Sequence, residues 1–270
     1  MMSPFSLGRQ DLQLRAAGSL ALLPELITYQ EIRSVTRMAG LFRKILGNPA
    51  NFILFKKDRI AMIYLSGTYS QIDPRYKNQF GYMLNVNRAT GGEKSAVKHL
   101  WMLDNGAFSS SWDYDVWLKR ATNLAKYAST CIGSVVPDTV SDPIDTLDKW
   151  DTYYAIVRNL GYTPFFATQD GCTVDMIPWH EIGGLFIGGS DSHKATESWP
   201  LIHRAISMNL WVHVGRINSA TKLLQYYMCN SADGTHLTFD SSLRRQRNIL
   251  RGVRLCNARK TIQGKLFTVE

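Results

Sequence analysis

What most constrains this chain is a rhythm that sets in near residue 60. Short apolar runs recur, most of them stopped by turn residues, and segments of helical spacing lie between many of them. The runs cover 60–65, 80–86, 99–103, 132–136, 163–168, 185–187 and 210–214, with a last short one at Ser231-Ala232. They stop at Ser66-Gly67, Asp104-Asn105-Gly106, Pro137-Asp138, Gln169-Asp170-Gly171, Gly188-Gly189-Ser190, Gly215-Arg216 and Asp233-Gly234-Thr235. Between them Trp117, Ala121, Leu124 and Ala128 repeat at helical spacing from about residue 113. Asp142-Pro143 is an N-cap followed by proline at the first helical position, and Gly161 closes that helix after Leu147, Trp150, Tyr154 and Val157. Further helical patterns cover 199–208, 223–227 and 241–254. Repeated strand–helix units imply a parallel sheet. Seven or eight of them in roughly 200 residues favour a closed (β/α)8 barrel over an open doubly wound sheet. No glycine-rich dinucleotide or phosphate-loop fingerprint follows the first strand. The expected architecture is α/β: a TIM-like (β/α)8 barrel over 58–270.

Residues 1–57 read differently. Leu26, Ile27, Ile32, Val35, Met38, Leu41, Phe42 and Ile45 recur at helical spacing with Arg33, Arg37, Arg43 and Lys44 between them, so an amphipathic helical extension is expected. Charge is segregated. Residues 1–60 carry nine Lys/Arg against four Asp/Glu, 240–270 carry eight against two, and 61–239 carry fourteen against sixteen. Two basic ends around a slightly acidic centre point to a polyanionic partner. In the last helix Arg244, Arg247, Arg251 and Arg254 share one face, as expected for phosphate contacts. The four cysteines are far apart and form no C-x-x-C pair, which fits buried reduced thiols in a cytoplasmic protein. No apolar run reaches the length of a membrane span, and no signal peptide is evident.

In such a barrel the strand ends open onto one face. Here they supply Asp104, Asp138, Gln169, Gly188-Gly189 and Asp233. Like charges grouped on one rim cost free energy unless they are used. The six histidines are scattered, without metal-ligand spacing, and His213 reads as a core or rim residue; the pattern points to carboxylate chemistry with no metal. An amide, carboxylates and bare glycine backbone suit a flat, hydrogen-bonding heterocycle, on which Phe108 could stack.

Five stretches, DNGAFS at 104–109, PD at 137–138, FATQDG at 166–171, LFIGGS at 185–190 and NSADGT at 230–235, resemble in order those of tRNA-guanine transglycosylases. The compact phage and bacterial relatives that insert 7-deazaguanines into DNA look more similar still. The resemblance implies a glycosyltransferase that exchanges guanine in a polynucleotide for a 7-deazaguanine base such as preQ0. Asp233 would be the nucleophile and Asp104 the general acid/base; Asp138, Gln169, Gly188, Gly189, Asn105 and Phe108 would hold the base. Lys194, Arg216 and the four arginines of the last helix would hold the nucleic acid, DNA in preference to tRNA. It implies no further cofactor, no membrane partner, and a possible homodimer in a bacterial cytoplasm. Asn230 replaces an aspartate often found in that family, and the zinc subdomain of the tRNA enzymes is missing from the sequence. The alternatives are a tRNA-guanine transglycosylase, an N-glycosylase or nucleoside hydrolase, and a non-catalytic nucleic-acid-binding barrel.

Overall fold

The computed structural model describes residues 61–87, 92–108 and 112–266, with side chains up to residue 261. The expected helical extension over 1–57 lies outside the described residues. Eight strands form the barrel: β1 (Ile63–Ser66), β2 (Gly81–Asn85), β3 (Trp101–Asp104), β4 (Cys131–Val135), β5 (Pro164–Thr168), β6 (Gly184–Ile187), β7 (Trp211–Val214) and β8 (Ser231–Gly234). Each pairs in parallel with its neighbour in the chain, and β8 pairs with β1 to close the ring. The closing register runs from Ile63 opposite Ser231 to Ser66 opposite Gly234.

Among the described residues the helices outside this ring are α1 (Glu93–Ala96), α2 (Tyr114–Leu124), α3 (Pro143–Asn159), α4 (Asp191–Thr196), α5 (Ser198–Ser207), α6 (Ala220–Gln225), α7 (His236–Phe239) and α8 (Leu243–Leu266). Asp113 caps α2 by accepting from the Val116 N–H, and Trp117, Ala121 and Leu124 form its buried face. Asp142 accepts from the N–H groups of Ile144 and Asp145, with Pro143 opening α3 as the sequence implies. Gly161 takes φ +89° just beyond that helix. The β1–β2 and β5–β6 crossovers contain only a 3-10 turn each, Lys77–Gln79 and Val174–Met176, so strand–helix alternation is incomplete. Helix α8 runs well past the expected end at residue 254, and it buries Ile249, Leu250, Val253 and Cys256. It packs on α6 and β1. None of the described helices is long and apolar enough to cross a membrane.

The apolar residues divide into two bodies. A large outer layer lies between sheet and helices, and a small inner cluster of Leu65, Met83, Met102, Val135, Phe165 and Ala167 fills the barrel. Phe165 is the inner plug, with no exposed surface. Two glycines make room for it. A Cβ at Gly133 would lie 2.3 Å from its ring and one at Gly184 would lie 2.2 Å away. Gly184→Ala is therefore expected to destabilise the barrel by about 1–3 kcal/mol through overpacking. Adding Phe165→Leu should recover part of that loss, a non-additivity visible in chemical denaturation. Equal stability of the Gly184→Ala variant and the parent would contradict this packing.

Candidate active site at the barrel mouth

Side chains alternate across a strand, so every second residue faces the barrel interior. Near the carboxyl ends this alternation changes from apolar to polar or bare: Met83 to Asn85, Met102 to Asp104, Ala167 to Gln169, Phe186 to Gly188. The result is one open cavity of about 1000 Å³ with Met83, Val135, Ala167 and Phe186 as its apolar floor. Asp104, Asn105, Phe108, Asp138, Gln169, Gly188, Gly189, Arg216 and Asp233 all line it, so every position read from the strand ends meets the others in one place.

The three aspartates have different surroundings. Burial pushes the Asp104 carboxyl above the ordinary carboxylate range; the Gly106 amide draws it back, and the negative charge of Asp233 pushes it up again. Asn85 Nδ2 donates to Asp104 Oδ2 at 2.7 Å, and the Gly106 N–H donates to Oδ1 at 3.2 Å. Gly106 holds φ +75°, where a Cβ would strike Asn87 and Val86, so glycine is needed at this turn.

Asp138 is pushed up to about 6, chiefly by burial and further by the charge of Asp104. Its two oxygens accept from Asn105 Nδ2 at 2.8 Å and Gln169 Nε2 at 2.5 Å. Gln169 Oε1 in turn accepts from the Ser141 N–H at 3.0 Å. Asn105 also donates to the Val136 carbonyl at 2.8 Å. Asp138, Asn105 and Gln169 thus form a bonded network in the cavity wall, which fixes the direction of each.

Asp233 is held differently. Its Oδ1 accepts from the Arg216 N–H at 3.0 Å and lies 3.2 Å from His213 Nε2. Arg216 has φ 62°, an uncommon left-handed conformation for a residue with a side chain, and its N–H meets the carboxylate from that conformation. Behind Asp233 runs a buried relay. Trp211 Nε1 donates to Ser231 Oγ at 2.8 Å, and Ser231 Oγ lies 2.8 Å from His213 Nδ1. A carboxylate can only accept, so the hydrogen-bond network assigns the ring proton to Nε2 and has the Ser231 hydroxyl donate to Nδ1. The His213 ring stacks on Phe186 with centroids 4.8 Å apart. The sequence reading missed His213 as a site residue. The available signal was its place on β7, opposite Ser231 on β8 and two residues before the Gly215-Arg216 turn.

Other expected site residues fall elsewhere or act otherwise. Lys194 is corrected: it is 2 % exposed, its Nζ donates to the Gly215 carbonyl at 3.2 Å and sits 3.3 Å from Asp191. Burial beneath the rim turns it into a bracing group that cannot meet a nucleic acid. Arg216 lays its guanidinium over the Phe108 ring, 4.9 Å from the centroid, and bonds the Gly189 carbonyl. Phe108 itself stands 70 % exposed at the lip. Gly188 is needed because a Cβ would approach the Thr168 carbonyl to 2.6 Å, and Gly189 because its φ is +70°. Asn230 supports the sheet, accepting from the Val212 N–H at 2.9 Å. Arg244, Arg247, Arg251 and Arg254 are exposed on α8. The four cysteines are buried free thiols.

No protein-family model matches the chain, and no curated protein matches it. Among solved structures, a tryptophan synthase from M. tuberculosis in an open form with BRD0059 bound is 16% identical, with a TM-score of 0.45; the match covers 73% of this chain and 92% of that one. The tryptophan synthase alpha chain from Legionella pneumophila subsp. pneumophila is 11% identical, with a TM-score of 0.43 and coverage of 79% and 94%. The 3-hexulose-6-phosphate synthase from Salmonella typhimurium is 9% identical, with a TM-score of 0.42 and coverage of 72% and 99%. These likenesses assign no substrate or reaction. The expected resemblance to tRNA-guanine transglycosylases is corrected: no family model supports the motif order, and the solved structures named above are synthases of other kinds. Guanine exchange in a polynucleotide, with its covalent glycosyl intermediate, is withdrawn with it.

Asp138 sets a pH dependence. Its carboxyl is raised from 3.8 to about 6 in the folded protein, so its contribution to stability is full below about pH 4 and is lost as pH rises through about 6. The loss amounts to about 3 kcal/mol. In a carbon-13 carboxyl titration, one resonance that disappears in Asp138→Asn should show a midpoint near 6. A midpoint near 4 for that resonance would contradict the burial assigned to it.

Proposed function

We propose that the barrel mouth is the active site of an enzyme that binds a small planar nitrogen heterocycle and moves protons on it with Asp104 and Asp233. The observation that carries this reading is the contrast between the two carboxyls. Asp104 is biased by burial toward its protonated, donor form. Asp233 takes both of its hydrogen bonds on Oδ1, from the Arg216 amide and His213, which leaves Oδ2 to accept a proton from a bound molecule. An acid and a base facing one cavity are the minimum for general acid–base chemistry.

The binding wall supports the ligand class. The Asp138–Asn105–Gln169 network gives the cavity a rigid polar wall, and the apolar floor below suits the face of a ring. Gly188 and Gly189 line the cavity with bare backbone. His213 acts on Asp233 as a positioning residue, fixed by Ser231 and Trp211 on the side away from the cavity.

The test is metabolite profiling with the purified full chain. Incubated with a small-molecule extract, the protein is expected to consume at least one nitrogen heterocycle, followed by mass spectrometry. Asp104→Asn and Asp233→Asn should each slow that loss by about 10²–10⁴-fold. His213→Gln should slow it less and shift the pH optimum. No consumption by the parent, or equal consumption by both aspartate variants, would overturn the proposal.

A further inference from the structure

A second cavity lies on the far side of α7 from the mouth. Thr238 and Phe239 of α7 line the mouth, whereas His236 and Asp240 line this groove of about 870 Å³. Four arginines of α8, Arg244, Arg245, Arg247 and Arg251, form its other wall. Arg244, Arg247 and Arg251 are spaced three and four apart, so they share one helix face over about 10 Å.

Their charge is unbalanced. Asp240 is the one acidic residue lining the groove, and it pairs with Arg245 at 2.9 Å. Arg247 Nε donates to the Tyr76 hydroxyl at 3.0 Å, and the nearby Asp73 is already held by two hydrogen bonds from the Arg75 guanidinium. The side chains of Arg244 and Arg251 have no hydrogen-bond or ion-pair partner among the described residues. Like charges at these spacings repel one another, a cost that a bound anion reverses. The groove also offers a fixed neutral donor. Arg245 donates to His236 Nδ1 at 2.5 Å, which places the ring proton on Nε2. Asn218 Oδ1 anchors this end of α7 by accepting the His236 N–H at 3.1 Å.

We propose that this groove binds a small phosphate ester with at least two linked phosphates, of the size of a nucleoside diphosphate. A single phosphate would engage only part of the row, and a concave groove closed at one side by α7 favours a compact anion over an extended strand. Arg244 and Arg251 would grip successive phosphates from the α8 side, with the His236 imidazole donating from the opposite wall. This site does not depend on the acid–base reading of the mouth.

The probe is inorganic pyrophosphate, titrated calorimetrically into the full chain, with ADP, AMP and adenosine as further arms. Pyrophosphate and ADP are expected to bind in a salt-sensitive manner, AMP more weakly and adenosine not at all. Arg244→Ala combined with Arg251→Ala should weaken pyrophosphate by about 100-fold, tenfold for each charge-assisted contact removed. Lysine at both positions should restore part of the affinity, which separates loss of charge from loss of fold. Asp233→Asn, across α7, should leave pyrophosphate binding unchanged. Absence of pyrophosphate binding, or binding indifferent to the double alanine change, would overturn the site. Capture of a single-stranded oligonucleotide that saturating pyrophosphate does not displace would also overturn it, because the row would then serve a polymer.

Discussion

The parallel seam between β8 and β1 is the constraint on which the rest depends. It places the last strand of the barrel beside the first, with Asp233 opposite Leu65. Without that seam the sheet would be open, and Asp233 would stand at an edge remote from Asp104 on β3. With it, alternation along eight strands sends the inward residues of every carboxyl end toward one cavity. The seam is held by backbone hydrogen bonds, and the plug beneath it is Phe165, admitted only because Gly133 and Gly184 carry no Cβ. The fold thus joins two requirements. A filled apolar lumen supports the floor, and a polar ring lines the open cavity above it.

Within that ring, similar side chains have different surroundings. Asp104 and Asp138 are both pushed upward by burial, yet Asp138 has both oxygens committed to amide donors of the wall. Asp104 accepts from the Asn85 amide on Oδ2 and from the Gly106 N–H on Oδ1. Asp233 is backed by a histidine whose own orientation is set by a serine and a tryptophan. Such a chain of partners fixes direction more than it adds stability, since each member would be costly to bury alone.

Much of this was legible in the sequence, and the reasons differ by element. The eight apolar runs and their turn residues located every strand, since a buried strand needs continuous apolar length and a polar stop. Asp142 was readable as a cap because capping is a local interaction between a side chain and the next turn. The convergence of residues 104, 138, 169 and 233 was readable only through the barrel hypothesis. What the sequence could not convey was who bonds to whom. The Asp138–Gln169 contact, the burial of Lys194 and the relay through His213 arise from pairing between strands distant in the chain. The resemblance built on motif order failed for a related reason: acidic and glycine-rich strand ends recur at barrel mouths of unrelated function.

The account rests on Asp104 being held in a donor-competent state by burial and by the charge of Asp233. The most direct measurement is the carboxyl carbon-13 titration of Asp104 in the parent chain and in Asp233→Asn. The account predicts a midpoint above the ordinary carboxylate range in the parent, moving downward once the charge at residue 233 is removed. A midpoint at the ordinary carboxylate value, unmoved by that substitution, would contradict it.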